Sequence, residues 1–320
     1  MFPKDWLLQA EKRIAPYIYH TKLLYDPELE IYLKLENRQV TGSFKTRGAL
    51  NKILSLRDWE LASGIIAASA GNHGQGVAYA GGIVKTRVTV FCSEGVVPKK
   101  IQAMRDLGAH VMLVPGGYGE AEKAGIDYAK TKGGLWISPY NDSHIIAGQG
   151  TVALEILNTR PELAEAAWIV PASGGGLISG IGAVLKDRSA KAWLVAVQSA
   201  ASPFLHDLYT KGTQETSVEL PSIADGLAGP VEEGSITIPL VKSLVNEFIL
   251  VSEEEIERAV AFAWYRYGEI IEGSGAASLA AILSGKVSAR PAVLILSGGN
   301  IQPELHRAIV QKFEGTTAWK

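Results

Sequence analysis

The stretch AAWIVPASGGGLISGIG, residues 166–182, decides the fold of this 320-residue chain. An apolar run at 166–172 predicts a buried strand, and a helical pattern follows it after three consecutive glycines. Such glycines let backbone N–H groups converge on one anion at the start of a helix, and Ser173 adds a hydroxyl donor. The stretch therefore predicts a strand, a phosphate-binding loop and a helix. A glycine-rich turn that binds nothing is the alternative.

The same alternation of apolar runs and helical patterns continues along most of the chain. Continuous apolar runs between helices are typical of parallel strands that are covered on both faces. The sequence therefore predicts an α/β fold with two open, twisted, mainly parallel sheets and helices on both faces. The least regular stretch, 209–235, is expected to be a long surface excursion. The predicted strands are 64–69, 87–92, 109–115, 166–172, 192–198, 248–252 and 291–297.

Composition excludes several classes of protein. Apolar residues make up 47 % of the chain and charged residues 20 %, with a net charge of −2, so neither a disordered chain nor a binder of nucleic acid or membrane surfaces is expected. No apolar run reaches the roughly 20 residues that span a bilayer. Cys92 is the single cysteine, which excludes an intrachain disulfide and a cysteine metal cluster and favours a cytoplasmic location.

Two other strand ends and one lysine are candidates for a site. ASAGNHGQG (68–76) brings hydrogen-bonding side chains to a helix start, which favours a carboxylate; close helix packing through small residues is the alternative. Ser297 ends the last predicted strand, where its hydroxyl either faces a cleft or bonds its own backbone. Lys45, in QVTGSFKTRGA (39–49), follows Phe44 among small hydroxyl residues, a setting that suits a partly desolvated lysine.

A phosphate loop, a carboxylate loop and a held lysine together suggest pyridoxal 5'-phosphate. This cofactor has a phosphate, an aldehyde that requires a lysine and a ring nitrogen that requires a partner. An amino-acid substrate supplies the carboxylate.

The ordered motifs resemble those of the threonine/serine dehydratase and serine racemase family, which are fold type II pyridoxal phosphate enzymes similar to tryptophan synthase β. The resemblance extends from about Arg13 to Asn300. It rests on five motifs, KLENRQVTGSFKTRGA (34–49), ASAGNHGQGVAYA (68–80), IAGQGTVALEI (146–156), SGGGLISG (173–180) and LSGGN (296–300).

The resemblance implies roles for individual residues. Lys45 would bond covalently to the cofactor, with Phe44 against its ring and Ser297 facing the pyridine nitrogen. Asn72 would bind the 3-hydroxyl group of the ring. The phosphate would be held by Ser173, Gly174, Gly175, Gly176 and Leu177. The substrate would be bound by Ser69, Ala70, Gly71, Asn72 and His73, of which Ser69, Asn72 and His73 would hold its carboxylate.

The resemblance also implies a reaction and an architecture. The freed Lys45 would remove the α-proton, the β-hydroxyl would leave, and hydrolysis would yield a 2-oxo acid and ammonia. The cofactor would lie in a cleft between a large domain, residues 1–55 and 143–320, and a small mobile domain, residues 56–142. A homodimer or homotetramer is expected. Because about twenty residues follow the LSGGN motif, a catalytic core without a regulatory domain is expected.

Departures from the family motifs narrow the expected reaction. Serine racemases of the family have a motif similar to SSGNHG, in which the second serine acts as acid and base. Ala70 occupies the position of this serine, so the resemblance favours a dehydratase. Gln198 and Phe204 replace the acidic ligands of the racemase cation site, so no metal is expected. A dehydratase of another β-hydroxy amino acid, such as 3-hydroxyaspartate or phenylserine, remains an alternative, as do a serine racemase, a β-replacement enzyme and a protein that only binds its ligand.

Overall fold

The computed structural model describes residues 4–69, 71–189 and 191–315. They form two β-sheets covered by helices, in the order strand, helix, strand over most of the chain. The strands are β1 Leu23–Asp26, β2 Ile31–Leu35, β3 Ile65–Ala68, β4 Val88–Ser93, β5 His110–Val114, β6 Leu135–Trp136, β7 Ala167–Pro171, β8 Trp193–Ser199, β9 Glu247–Val251 and β10 Ala292–Leu296. The helices are α1 Lys4–Ile14, α2 Lys45–Ile53, α3 Asp58–Ala62, α4 Asn72–Ile83, α5 Pro98–Asp106, α6 Tyr118–Lys132, α7 Ser143–Thr159, α8 Gly176–Arg188, α9 Phe204–Thr210, α10 Thr237–Leu244, α11 Glu253–Tyr267, α12 Gly273–Leu283 and α13 Pro303–Lys312.

The larger sheet has six strands in the order β1-β2-β10-β7-β8-β9. All neighbours are parallel except β1 and β2. Alternate residues of β10 enter opposite cores: Val293 and Ile295 pack with residues of α7 and α8, whereas Leu294 and Leu296 pack with residues of α11 and α12. Because helices cover both faces, the strands are apolar throughout.

The smaller sheet has four parallel strands in the order β5-β4-β3-β6. One face packs against α2, α4 and α5, and the other against α6. The α/β prediction with two mainly parallel sheets is confirmed. In the part of the chain that the structure describes, no helix is long and apolar enough to cross a membrane.

The seven predicted strands begin and end within one residue of their predicted bounds. Three short strands, β1, β2 and β6, were not predicted. In β2 the buried Lys34 interrupts the apolar pattern, and its charge is compensated by Glu155, which lies 121 residues further along the chain. The predicted surface excursion 209–235 is only partly on the surface, because 226–230 line the main cavity.

A network of buried charges fixes the start of α2. Arg47 donates to both carboxylate oxygens of Glu36 at 2.7 Å and lies 2.7 Å from a carboxylate oxygen of Glu155. Lys34 donates to the other Glu155 oxygen at 2.5 Å. Burial lowers the pKa of Arg47, but the two carboxylates outweigh this effect and raise it. The guanidinium therefore stays charged, and it lies two residues from Lys45.

The network predicts a large loss of stability in Arg47→Met. This variant leaves two buried carboxylates with a single ammonium partner, so we expect the free energy of unfolding to fall by about 3–5 kcal/mol. Urea unfolding followed by circular dichroism measures the loss. The matched control is Lys191→Met, which removes an exposed pair with Glu165 and should leave the unfolding midpoint unchanged. Equal midpoints for the two variants would contradict the structural role of the network.

Candidate active site

The main cavity lies between the two sheets and has a volume of about 320 Å³. The loops after β3, β7 and β10 and the start of α2 all open into it, as expected for a site at the carboxyl ends of parallel strands. Every predicted site residue that the structure describes lines this cavity, and Ala70 lies outside the described residues. These lining residues are Phe44, Lys45, Ser69, Gly71, Asn72, His73, Ser173, Gly174, Gly175, Gly176, Leu177 and Ser297.

Lys45 is the first residue of α2, and its side chain reaches the cavity. Its Nζ donates to the carbonyl oxygen of Pro139 at 3.0 Å and lies 5.4 Å from the centre of the Phe44 ring. Burial lowers the pKa of Lys45 to about 8. At pH 7 roughly a tenth of its amine is therefore neutral and able to accept a proton, far more than for an unburied lysine.

The loop after β3 presents the first turn of α4 to the cavity. The Ser69 hydroxyl accepts a hydrogen bond from Gly71 N at 3.0 Å. His73 Nε2 lies 3.0 Å from the carbonyl oxygen of Ile137, and since a carbonyl only accepts, this nitrogen carries the proton. Burial, and then the charge of Lys45, lower the pKa of His73 to about 3. The imidazole is neutral, so it brings no positive charge to this loop.

The glycine loop after β7 leads into α8. Gly175 has φ +84°, a left-handed conformation that favours glycine. A Cβ at Gly174 would lie 2.2 Å from the Tyr140 ring, so no larger residue fits there without movement. Tyr140, which the sequence suggested as a pocket wall, does line the cavity, and its hydroxyl accepts from Glu232 N at 2.8 Å. The first N–H groups of α8 lack partners within the helix, so they are free to bind an anion.

Ser297 follows β10 and faces the cavity from the larger sheet. Its backbone carbonyl accepts a hydrogen bond from Phe44 N at 3.1 Å, which ties it to the lysine segment. Neither its hydroxyl nor that of Ser173 is hydrogen-bonded to another described residue. Both hydroxyl groups therefore remain available to a ligand.

Comparisons with known proteins agree with this geometry. Residues 13–298 match the protein family described as pyridoxal-phosphate dependent enzyme. The chain belongs to this family. The enzyme is 37 % identical to an L-threonine ammonia-lyase of Geobacter sulfurreducens, over 98 % of this chain and 79 % of the relative. It is 40 % identical to a catabolic L-threonine dehydratase of Staphylococcus aureus, over 92 % of this chain and 87 % of the relative.

Solved structures show the same fold. A threonine deaminase from T.th. superimposes with a TM-score of 0.85 at 32 % identity, covering 94 % of the enzyme and 99 % of that chain. The serine racemase of Dictyostelium discoideum gives a TM-score of 0.83 at 34 % identity, covering 93 % and 98 %. The predicted membership of the threonine/serine dehydratase and serine racemase family is confirmed.

The residues of the cavity fit pyridoxal phosphate. The unpaired N–H groups at the start of α8 and the free Ser173 hydroxyl suit its phosphate, the amine of Lys45 suits its aldehyde, and the Ser297 hydroxyl suits its ring nitrogen. Among the residues that the structure describes, no cluster of three or more histidine, cysteine or acidic side chains could hold a metal ion.

The orientation of Asn72 depends on two residues whose roles the sequence left undefined. Asn300 Nδ2 donates to the carbonyl oxygen of Thr41 at 2.8 Å, so this atom is a donor, and it also donates to Asn72 Oδ1 at 2.6 Å. Asn72 Nδ2 donates to Glu272 Oε1 at 2.6 Å. The amide is thus held at both ends, and one N–H of Nδ2 remains for a ligand. The LSGGN motif contains Asn300, but nothing in the sequence pairs Glu272 with Asn72.

Glu272 is the buried carboxyl group that ends the chain of hydrogen bonds from Asn300 through Asn72. Burial, followed by the charge of Asp225, raises its pKa from 4.5 to about 7. The folded protein therefore binds this proton more tightly than the unfolded chain does. As a result, Glu272 reduces the stability of the cofactor-free protein progressively as the pH rises from 4.5 to about 7.

The cofactor-free Glu272→Gln variant should lose this pH dependence. The glutamine side chain keeps an oxygen that accepts from Asn72 but carries no charge, so above pH 7 we expect the variant to be more stable than wild type by up to about 3 kcal/mol. Urea unfolding of both cofactor-free proteins across the interval of pH 4.5 to 7 measures the difference. The exposed Glu233→Gln serves as the control. Identical pH profiles for Glu272→Gln and wild type would show that Glu272 titrates normally.

Proposed function

We propose that the enzyme is an L-threonine and L-serine ammonia-lyase, which eliminates the β-hydroxyl group and yields a 2-oxo acid and ammonia. The observation that carries the proposal is the position of Lys45, whose partly neutral amine enters a cavity that fits pyridoxal phosphate. The names of the relatives, L-threonine ammonia-lyase and L-threonine dehydratase, support the same reaction.

Lys45 is the proposed catalytic base. Pyridoxal phosphate, when bound, withdraws electrons from the α-carbon of an amino acid and so acidifies its proton. The Nζ atom of Lys45 can accept this proton, because its lowered pKa leaves part of the amine neutral. His73 does not compete for the proton, since its own pKa is about 3. The Pro139 carbonyl orients the amine through its hydrogen bond.

The other groups bind and orient. Ser173 to Leu177 would hold the phosphate of pyridoxal phosphate, and Ser297 would face its ring nitrogen. Phe44 would lie against the ring, and the remaining N–H of Asn72 would donate to the ring hydroxyl. The loop Ser69 to His73, including Ala70, receives the substrate carboxylate at the start of α4. Support for this loop comes from the free N–H groups of the first turn, because a helix start favours an anion.

Replacement of Lys45 by alanine removes the base and the covalent attachment point. We expect the release of 2-oxobutanoate from L-threonine to fall by at least about a thousandfold, since general-base catalysis alone contributes a factor of 10²–10⁴. A coupled assay of the 2-oxo acid, with L-serine and pyruvate in parallel, measures the loss. The exposed Lys186→Ala, at the far end of α8, is the control. Retained activity in Lys45→Ala would contradict the proposed role.

Serine racemisation is the second candidate, because serine racemases occur among the structural relatives. We favour elimination because the resemblance aligns Ala70 with the second serine of the racemases, and an alanine side chain has no acidic proton to donate. Ala70→Ser should introduce measurable racemisation of L-serine, with elimination in the same reaction as the internal reference. Chiral chromatography of the remaining serine measures it. Racemisation by the wild-type enzyme at a rate similar to elimination would overturn the preference for a lyase.

Three broader features also remain proposals. We infer a large domain of residues 1–55 and 143–320 and a small mobile domain of residues 56–142, and the division is supported by the separate sheets. The proposal of a homo-oligomer rests on the family resemblance. The proposal of a cytoplasmic location rests on Cys92, the single cysteine of the sequence, which is buried. A monomer in analytical ultracentrifugation would contradict the homo-oligomer. In hydrogen exchange, protection of residues 56–142 equal to that of the larger sheet would contradict a mobile small domain.

A further inference from the structure

Lys100 is the second lysine ammonium group in the wall of the active-site cavity. It lies in the first turn of α5, on the side of the smaller sheet. Its Nζ atom is 4.0 Å from the position that a Cβ would take at Gly71, so it stands directly beside the loop that precedes α4. Neither the glycine loop nor the lysine motif includes it, and the proposed elimination assigns it no role.

Apart from Lys100, few groups among the described residues of the cavity could compensate the charge of a substrate carboxylate. Lys45 is committed to the cofactor and to proton transfer, and His73 is neutral. Ser69 and Asn72 contribute neutral hydrogen-bonding groups. Among the described residues that line the cavity, Lys100 is therefore the remaining side chain that carries a full positive charge. A carboxylate that leaves water for a partly enclosed site is strongly stabilised by such a partner.

The present partner of Lys100 is suited to be exchanged. Nζ donates to the carboxylate of Asp225, which lies in the segment 225–230 that lines the cavity. The Asp225 side chain is 54 % exposed, whereas that of Lys100 is 18 % exposed. Asp225 can therefore return to water at little cost when it loses the lysine, because a half-exposed ion pair contributes little net stability. The flexible stem of Lys100 lets its ammonium group turn between two acceptors.

The charge of Lys100 also acts on Glu272, the carboxyl group that accepts a hydrogen bond from Asn72. Burial and Asp225 raise the pKa of Glu272, while the charge of Lys100 acts in the opposite direction. Glu272 accepts a hydrogen bond from Asn72, the first residue of α4. The charge of Lys100 is therefore felt by the carboxyl group that holds Asn72, and its Nζ atom lies beside Gly71, the residue before α4.

We propose that Lys100 is a substrate-binding residue whose ammonium group leaves Asp225 and pairs with the α-carboxylate of the amino acid at the start of α4. This inference rests on the proposed function, because it takes an amino acid as the substrate. It makes Lys100 a determinant of specificity for amines that carry a carboxylate, and Asp225 its holding partner while the site is free of substrate.

The test compares Lys100→Met, Asp225→Asn and the control Lys99→Met in the cofactor-loaded enzyme. Lys99 is the exposed neighbour on the same helix, so its replacement makes the same change of charge. Titration with glycine, which has no β-hydroxyl to eliminate, gives a Kd from the change in cofactor absorbance. Titration with methylamine, which is glycine without its carboxylate and also has no β-hydroxyl, gives the reference Kd.

We expect Lys100→Met to weaken glycine binding by about 10- to 100-fold, the factor for one hydrogen bond to a charged group, and to leave methylamine binding unchanged. Lys99→Met should match wild type, and Asp225→Asn should bind glycine at least as tightly as wild type. Equal glycine affinities for Lys100→Met and wild type would overturn the inference. Equal weakening in Lys100→Met and Asp225→Asn would also overturn it, because the ion pair would then act only as a structural link.

The proposed function fails separately from this inference. Failure of the wild-type enzyme to release 2-oxobutanoate from L-threonine or pyruvate from L-serine would contradict the lyase. The difference in glycine affinity between wild type and Lys100→Met depends on carboxylate binding and not on elimination.

Discussion

The active site depends on one buried ion network, in which the Arg47 guanidinium joins the carboxylates of Glu36 and Glu155. Glu36 follows β2, Glu155 lies in α7 and Arg47 lies in the first turn of α2, so the network ties three separate parts of the chain together. Buried charges are tolerated only when they are paired with good geometry, so the relative positions of these three side chains are tightly constrained. Because Lys45 is only two residues before Arg47, the network also constrains the position of the Lys45 backbone and so of its amine.

The cavity keeps few full charges near that amine. His73 is neutral because its imidazole is buried beside Lys45, and the Glu272 carboxyl group has a pKa of about 7 because it is buried close to Asp225. Lys45 itself has a lowered pKa. Burial is the first cause of all three shifts. A single physical effect thus prepares the lysine as a base and removes a competing one.

Two kinds of residue define the reaction that this site can perform. We propose that Lys45 and the glycine loop, which resemble motifs of the family, determine that pyridoxal phosphate is used. Residues of the substrate loop and its surroundings determine what is done with it. In the sequence, Ala70 offers no second proton carrier, and in the structure Lys100 brings a positive charge beside Gly71. Elimination from an amino acid whose carboxylate meets that charge is consistent with both features.

The sequence by itself determined the α/β class, seven of the strands and the residues of the three loops, because apolar runs and glycine-rich turns are local signals. It did not predict β2, in which a buried lysine interrupts the apolar pattern. Nor did it predict the hydrogen bond between Asn72 and Glu272, which are 200 residues apart, or the ion pair between Lys100 and Asp225, which are 125 residues apart. Only the tertiary structure decided these pairs, since a polar side chain acquires its partner when distant segments are packed together and water is excluded.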